Sequence, residues 1–281
     1  MTLGPDPRPP FDSQARPPFD RQALEEAFSV LPDLDLELLP EAASTNQVAA
    51  ERARAGADEG LVVVADHQTA GRGRLDRTWE TPPGTAVTFS MLLRPSVPPA
   101  TWPWLPLLTG HTVAKALRAE GYDAHVKWPN DVLVEERKVA GILVERVDTP
   151  DGAAAVVGVG VNVGLTEDEL PVPTATSLAI EAGGSDGVPS RDSVLLDVVA
   201  AIREGYDTWQ VGGEGAAARL AASYAESCAT IGQQVRVDLP TGEAIVGRAT
   251  AIDPDGRLVV ETGSGAQRVG AGDVVHVRPA T

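Results

Sequence analysis

The chain has 281 residues, a formal net charge of −17, and 43% hydrophobic and 22% charged residues, the balance of a soluble globular protein. So acidic a surface repels polyanions and argues against general nucleic-acid binding. No apolar run reaches the roughly eighteen residues of a membrane span, and the N-terminus lacks the basic-then-apolar order of a signal peptide.

Residues 1–22 read as a Pro-rich leader, disordered or extended, containing a direct repeat, RPPFD at 8–12 and again at 16–20. A Pro-rich partner motif is the alternative reading. Between Leu24 and Leu39 there is room for a short helix and a strand, LDLELL. ASTNQVAAERARAG opens with the capping residues Ser44 and Thr45 and predicts a helix from about Ser44 to a stop near Gly56. GLVVVADHQTA predicts a buried strand entering a Gly-rich loop, and TAVTFSMLLRP an alternating second strand. In WLPLLTGHTVAKALRAEG, Leu105, Leu108, Thr112 and Leu117 recur near one helical face. AHVKWP, KVAGILVERV and AAVVGVGVNVG are three more strand candidates. Val194, Val198, Ile202 and Trp209 then mark an amphipathic helix within 192–210. From about Thr230, short alternating strands separated by PTGE, PDGR and GSGA turns predict a small β-barrel of SH3-like size. The expected division is 23–228 for a main domain and 229–281 for the barrel.

One cluster and two sparse residue types locate the chemistry. HQTAGRGRLDRTW places Arg72, Arg74 and Arg77 among glycines just after a strand. Gly71 and Gly73 let the backbone approach a ligand, while guanidinium groups fork onto carboxylate or phosphate oxygens. A solvated basic turn is the bland alternative, but a cluster of arginines is conspicuous in so acidic a chain. The spacing fits neither the Walker nor the Rossmann pattern. The chain has only three lysines, and Lys127 and Lys138 both fall in KWPNDVLVEERKVAG. Trp128-Pro129 should be extended and Asn130-Asp131 a turn, giving a hairpin whose polar ends converge on Lys138. The only three asparagines, Asn46, Asn130 and Asn162, sit one in each polar-interrupted motif and read as pieces of one site. Glycines in VVGVGVNVG are first of all packing residues, and a buried Asn162 needs a partner, which a ligand is one way to supply. The single cysteine, Cys228, excludes a disulfide framework and fits a reducing cytoplasm, while four scattered histidines give no zinc spacing.

STNQ, HQTAGRGRLDRTW, KWPNDVLVEERKVAGILVE and GVGVNVG resemble, in order and spacing, the motifs of biotin protein ligases. The likeness covers about residues 40–281. It implies an α/β (α+β) fold, a mixed sheet flanked by helices, followed by the SH3-like barrel. It also implies activation of biotin with ATP to biotinoyl-AMP, with Mg²⁺. Transfer then follows to one lysine of a biotin carboxyl-carrier domain, as in acetyl-CoA or another acyl-CoA carboxylase. By the same resemblance, Ser44, Thr45, Asn46 and Gln68 contact biotin, and the loop of Gly71, Arg72, Gly73 and Arg74 closes over biotin and adenylate. Arg77, Trp79, Asn130 and Asn162 lie on the nucleotide side, with Trp79 near adenine; Lys127, placed with them by its position in the motif, either helps the site electrostatically or orients the hairpin. Lys138 contacts the biotin carboxylate and the activated intermediate, with Arg72 as its catalytic companion.

Electrostatics agrees with that assignment. Joining a carboxylate to ATP brings two anions together, so preorganised cations are the expected apparatus. No acidic pair marks a metal site, and Asp131 is the weakest of the guesses. Too few and too broken residues precede STNQ for the winged-helix domain of repressor-type relatives, so the expectation is a cytoplasmic monofunctional ligase, a monomer or weak dimer, that binds no nucleic acid. The nearest rival is a lipoate or octanoate ligase or transferase of the same fold. A non-catalytic biotin sensor is a rival of another class.

Overall fold

The computed structural model describes residues 16–75, 77–184, 186–270 and 272–276, without the side chains of residues 214 and 216. A seven-stranded mixed sheet forms the main layer: β1 (Asp35–Leu39), β2 (Leu61–Ala65), β3 (Ala86–Leu93), β4 (Ala124–Lys127), β5 (Asp131–Val134), β6 (Arg137–Thr149) and β7 (Gly152–Asn162). Their spatial order is β1-β2-β3-β7-β6-β5-β4. Only β1 and β2 run parallel; every other neighbour is antiparallel.

The sheet is covered on both faces. Ala49 and Ala53 of α2 (Thr45–Arg54) pack on Val63, Leu92 and Val156. On the opposite face α3 (Trp104–Ala119) and α5 (Arg191–Val211) meet Val87, Phe89 and Met91. This explains one departure from expectation: β3 does not alternate, because all eight of its residues are buried. A strand covered by helices on both sides tolerates no solvent-facing side. The helix starts after Ser44 and stops before Gly56 at φ +92° as expected, but the Ser44 side chain makes no capping bond.

Three helices or strands had no counterpart in the expectation, one being the short helix α4 (Leu178–Glu181). Strand β5 lies between the Trp128–Asn130 turn and Lys138, so the expected hairpin is a three-stranded meander, and Trp128 and Pro129, joined by a cis peptide, belong to the turn. Helix α6 (Gly213–Glu226) follows α5 directly. The leader also needs correction. Residues 1–15 lie outside the described residues, but α1 (Arg21–Phe28) already begins within the expected leader, capped by Asp20, and Phe19 is buried. An aromatic side chain offers enough apolar area to bind even a Pro-rich segment to the domain.

A second sheet follows, from β8 (Gln234–Asp238), β9 (Ala244–Ile252), β10 (Leu258–Thr262), β11 (Gly265–Val269) and β12 (Asp273–His276), in the order β11-β10-β9-β8-β12. The turns fall at PTGE, PDGR and GSGA as expected. Among the described residues the sheet is open: no pairing joins β11 to β12. Its apolar side shares the core of the main layer, with Val235, Val237, Leu258 and Val260 in the same buried cluster as α3. Trp104 and Trp128 fasten the two sheets through indole N–H bonds to the Pro254 and Gly256 carbonyls, at 2.8 and 3.0 Å.

Candidate active site

A cavity of about 110 Å³ opens where α2, β3, β6, β7, the loop after β2 and the first residues of β12 meet. Strand β7 forms its floor through glycine. A Cβ on Gly158 would stand 2.1 Å from Asn46 Oδ1, and one on Gly160 would stand 2.5 Å from the Trp79 ring. Side chains from α2 and the loop therefore lie directly on the strand, which only glycine permits there.

The loop is a tight hairpin. Arg72 and Thr78 pair as an isolated bridge, Trp79 N–H bonds to Gly71 O at 2.9 Å, and Gly73 N–H bonds to Arg77 O at 2.7 Å. A Cβ on Gly71 would meet Trp79 O at 2.3 Å, so this glycine serves closure of the hairpin rather than approach to a ligand. The three arginines diverge. Arg72 donates to Glu145 Oε2 at 2.7 Å, Arg74 donates to Asn130 Oδ1 at 3.0 Å, and Arg77 pairs with Asp273 of β12. Burial pulls the Arg74 guanidinium below its ordinary value, opposed by the charges of Asp131 and Asp273. Trp79 lies between strand and lysine: its ring packs over Gly160, Lys138 Nζ sits 5.6 Å from a ring centroid, and its buried indole N–H has no partner among the described residues.

Opposite the loop, the start of α2 forms a buried polar network. Thr45 donates twice to Gln68 Oε1, from its backbone N–H at 2.8 Å and its hydroxyl at 3.1 Å. Ser90 donates to Thr45 Oγ1 or Asn46 Oδ1, at 2.8 and 2.6 Å. The Asn46 amide spends both N–H groups on Leu143 O and Glu145 Oε2, at 3.2 and 2.7 Å. Ser44 occupies the cap position of α2 and makes no side-chain capping bond. Lys138, at the start of β6, reaches back over the ladder to Asp131 Oδ1 at 2.6 Å. Asn130 accepts from Arg74 and donates to Ile142 O at 2.9 Å.

The structure thus gathers Ser44, Thr45, Asn46, Gln68, Arg72, Gly73, Arg74, Arg77, Trp79, Asn130, Asp131 and Lys138 on one cavity. Three expected members do not line it, the first being Gly71, which is spent on closing the hairpin. Lys127 stands outside, where its charge bears on Asp273 and His276. Asn162, buried at the end of β7, donates to Thr176 O at 2.8 Å, so its partner is protein backbone. The three asparagines are therefore two pocket residues and one clamp, because β7 outruns the cavity before it reaches Asn162. As for a metal, Asp131 is taken up by Lys138, and no cluster of three or more His, Cys, Asp or Glu capable of holding an ion occurs among the described residues. The described residues thus offer no all-protein cage for a cation, and a Mg²⁺ here would be held largely by nucleotide phosphates. Glu145, Ser90 and Asp273 complete the site and were missed. Glu145 stood in plain view at the end of KVAGILVE, whereas nothing in the sequence around Ser90 or Asp273 marks either one.

Residues 39–162 match the biotin/lipoate A/B protein ligase family, and residues 230–277 match the biotin protein ligase C terminal domain. Fold and site thus place the chain in the class of ligases that attach acid cofactors to proteins. It is 38% identical to the biotin–acetyl-CoA-carboxylase ligase of Mycobacterium tuberculosis, over 86% of this chain and 89% of that protein. It is 34% identical to the bifunctional ligase/repressor BirA of Bacillus subtilis, over 82% of this chain and 70% of that one. The solved biotin protein ligase of Aquifex aeolicus in complex with biotin and ATP superposes with a TM-score of 0.74 at 29% identity, covering 87% of this chain and 99% of that chain. The chain belongs to the biotin protein ligase family.

Proposed function

We propose that this enzyme joins biotin to ATP, releasing pyrophosphate, and then passes the biotinoyl group to one lysine of a biotin carboxyl-carrier domain of an acyl-CoA carboxylase. The observation that carries the reading is the convergence of Arg72, Arg74 and Lys138 on one small cavity of an otherwise strongly acidic protein. In the first step a biotin carboxylate oxygen attacks the α-phosphorus and the α–β bridging P–O bond breaks. Two anions must meet, and negative charge grows on the α-phosphate, so fixed cations stabilise the transition state more than the ground state. Lys138 supplies a compact charge for both carboxylate and phosphate, and Arg74, half-buried and steered by Asn130, supplies a directional fork. In the second step the carrier amine attacks the acyl carbon, AMP departs with the bond electrons, and the amine loses a proton. The mixed anhydride hydrolyses readily, and the 71–79 hairpin is placed to keep water from it.

Thr45 and Gln68 are read as direct biotin contacts, since Gln68 Oε1 is held by Thr45 while its amide N–H groups have no partner among the described residues. Asn46, with its amide fully engaged, is read as acting through Glu145 and hence Arg72. Mg²⁺ enters as part of the nucleotide substrate. No helix among the described residues is long and apolar enough to cross a membrane; the net charge of −17 supports an enzyme that binds no nucleic acid, and the single cysteine is in keeping with work in a reducing cytoplasm.

The test is pyrophosphate release from ATP and Mg²⁺ with biotin, lipoate or octanoate offered separately. Release with biotin alone is expected. Release only with lipoate or octanoate would move the enzyme to the sister activity, and biotin binding without release would make it a sensor.

A further inference from the structure

The RPPFD repeat plays no part in the chemistry above, yet in its second copy every residue but the exposed Pro18 is tied to the domain. Arg16 forks onto Glu169, at 2.9 and 2.7 Å. The Pro17 carbonyl accepts from Arg191 at 2.9 Å. Phe19 is 5% exposed beneath the Arg191 guanidinium, 4.0 Å from its ring centroid, and its N–H bonds to Asp66 Oδ1 at 3.0 Å. Asp20 caps α1 and donates its N–H to Asp192 at 2.9 Å. Arg16 also lies on Gly84, where φ is +72° and an added Cβ would stand 2.8 Å from Arg16 Cβ. These partners describe a strap anchored at both ends and by the buried Phe19.

What the strap holds leads back to the site. Glu169 closes the turn Glu167–Glu169, its carboxylate also accepting from Thr166 N–H at 3.0 Å. Burial pushes the Glu169 carboxyl up, but Arg16 and Thr166 outweigh it and hold the group below its usual range, so the pair is intact at neutral pH. The chain from this turn runs on to Thr174 and Thr176, which bracket Lys138: Lys138 N–H bonds to Thr174 O and Thr176 N–H bonds to Lys138 O, both at 2.8 Å. Asn162 clamps the same Thr176 from below. The backbone under the lysine of the site is therefore paired on one side with β5 and on the other with a segment anchored through Glu169.

We propose that Arg16 and Glu169 are positioning residues for adenylate formation: the strap of residues 16–20 fixes the 166–176 segment and, through its two backbone bonds, the seat of Lys138. This rests on the activity proposed above. A bidentate guanidinium–carboxylate pair suits such a task because it fixes orientation as well as distance.

The test uses the full chain with Arg8→Ala present throughout, so that the first RPPFD copy cannot substitute for the second. Single-turnover pyrophosphate release with biotin and ATP is measured per active site, which removes any loss from unfolded protein. Arg16→Ala is expected to slow the step on the order of fivefold with little change in biotin affinity, and Arg16→Lys to recover most of the rate. Glu169→Gln, which keeps the side-chain shape, should give the same slowing if Arg16→Ala folds poorly. Rates within twofold of the Arg8→Ala parent in both Arg16→Ala and Glu169→Gln, or slowing that Arg16→Lys does not relieve, would overturn the proposal. A parent that releases no pyrophosphate with biotin would instead sink the proposed activity itself.

Discussion

Lys138 Nζ lies 2.6 Å from Asp131 Oδ1, across the β5–β6 ladder, and 5.6 Å from a Trp79 ring centroid. The ammonium is thus held between a carboxylate and an aromatic face, at the mouth of a cavity of about 110 Å³. A guanidinium is larger, planar and reaches further, so it would displace either the ring or its own charge. Lys138→Arg should lower the rate of adenylation at least about tenfold, the scale of one lost transition-state contact. Near-normal pyrophosphate release from that variant would remove Lys138 from its assigned role.

Gly160 offers a second probe. A Cβ there would stand 2.5 Å from the Trp79 ring, and the ring has no slack, being packed also against Gly141. Gly160→Ala should displace Trp79 and cut adenylation by tenfold or more, while overpacking costs about 1–3 kcal/mol in stability. Thermal melting alongside kinetics separates the two effects. Loss of stability with unchanged turnover would show that Trp79 does not serve the site.

Arg77 and Asp273 join the hairpin to the second sheet. Burial pushes the Asp273 carboxyl up, yet the Arg77 bond and charge outweigh it and hold the group below its usual range. The arginine side chain is 62% exposed, so the pair contributes little to global stability. Asp273→Asn should leave the melting temperature nearly unchanged but free the hairpin locally, seen as faster trypsin cleavage after Arg72, Arg74 or Arg77. Equal cleavage rates in both proteins would count against the tether.

Stability should also depend on pH through two histidines. Burial lowers both His111 and His276 from the ordinary 6.5, helped by Arg118 and Lys115 at the first and by Lys127 at the second. Below 6.5 the unfolded chain takes up protons that the folded one refuses, so their contribution is full above that value and falls as the pH drops beneath it. Melting temperatures between pH 8 and 5.5 should decline, and His111→Gln should flatten part of that decline. A flat profile in the parent protein would contradict the burial argument.

Much of the site was legible because its chemistry is local. The Gly-Arg hairpin closes on its own backbone from Gly71 to Trp79, and the 135–136 turn between β5 and β6 brings Lys138 back toward Asp131. Residue type, spacing and scarcity suffice to mark features of that range. Most strands and the other main helices followed from composition and periodicity in the same way; β3 lost its alternation to helices on both faces, while β5, α4 and α6 had no counterpart.

Partners distant in sequence were decided by packing alone. Glu145 joins Arg72 to Asn46 only because β6 passes both the loop and α2. Asn162 turned from ligand to backbone because the Thr176 segment crosses the end of its strand. A Pro-rich stretch that opposes helix gave no sign that Phe19 would be buried under Arg191, since that pocket is built from residues far along the chain. Sequence by itself determined which residues carry charge, bend the backbone or pair locally, because those properties belong to the residue and its neighbours. Tertiary structure decided which of them meet, because a buried donor or charge takes the partner that the packed sheet brings within reach.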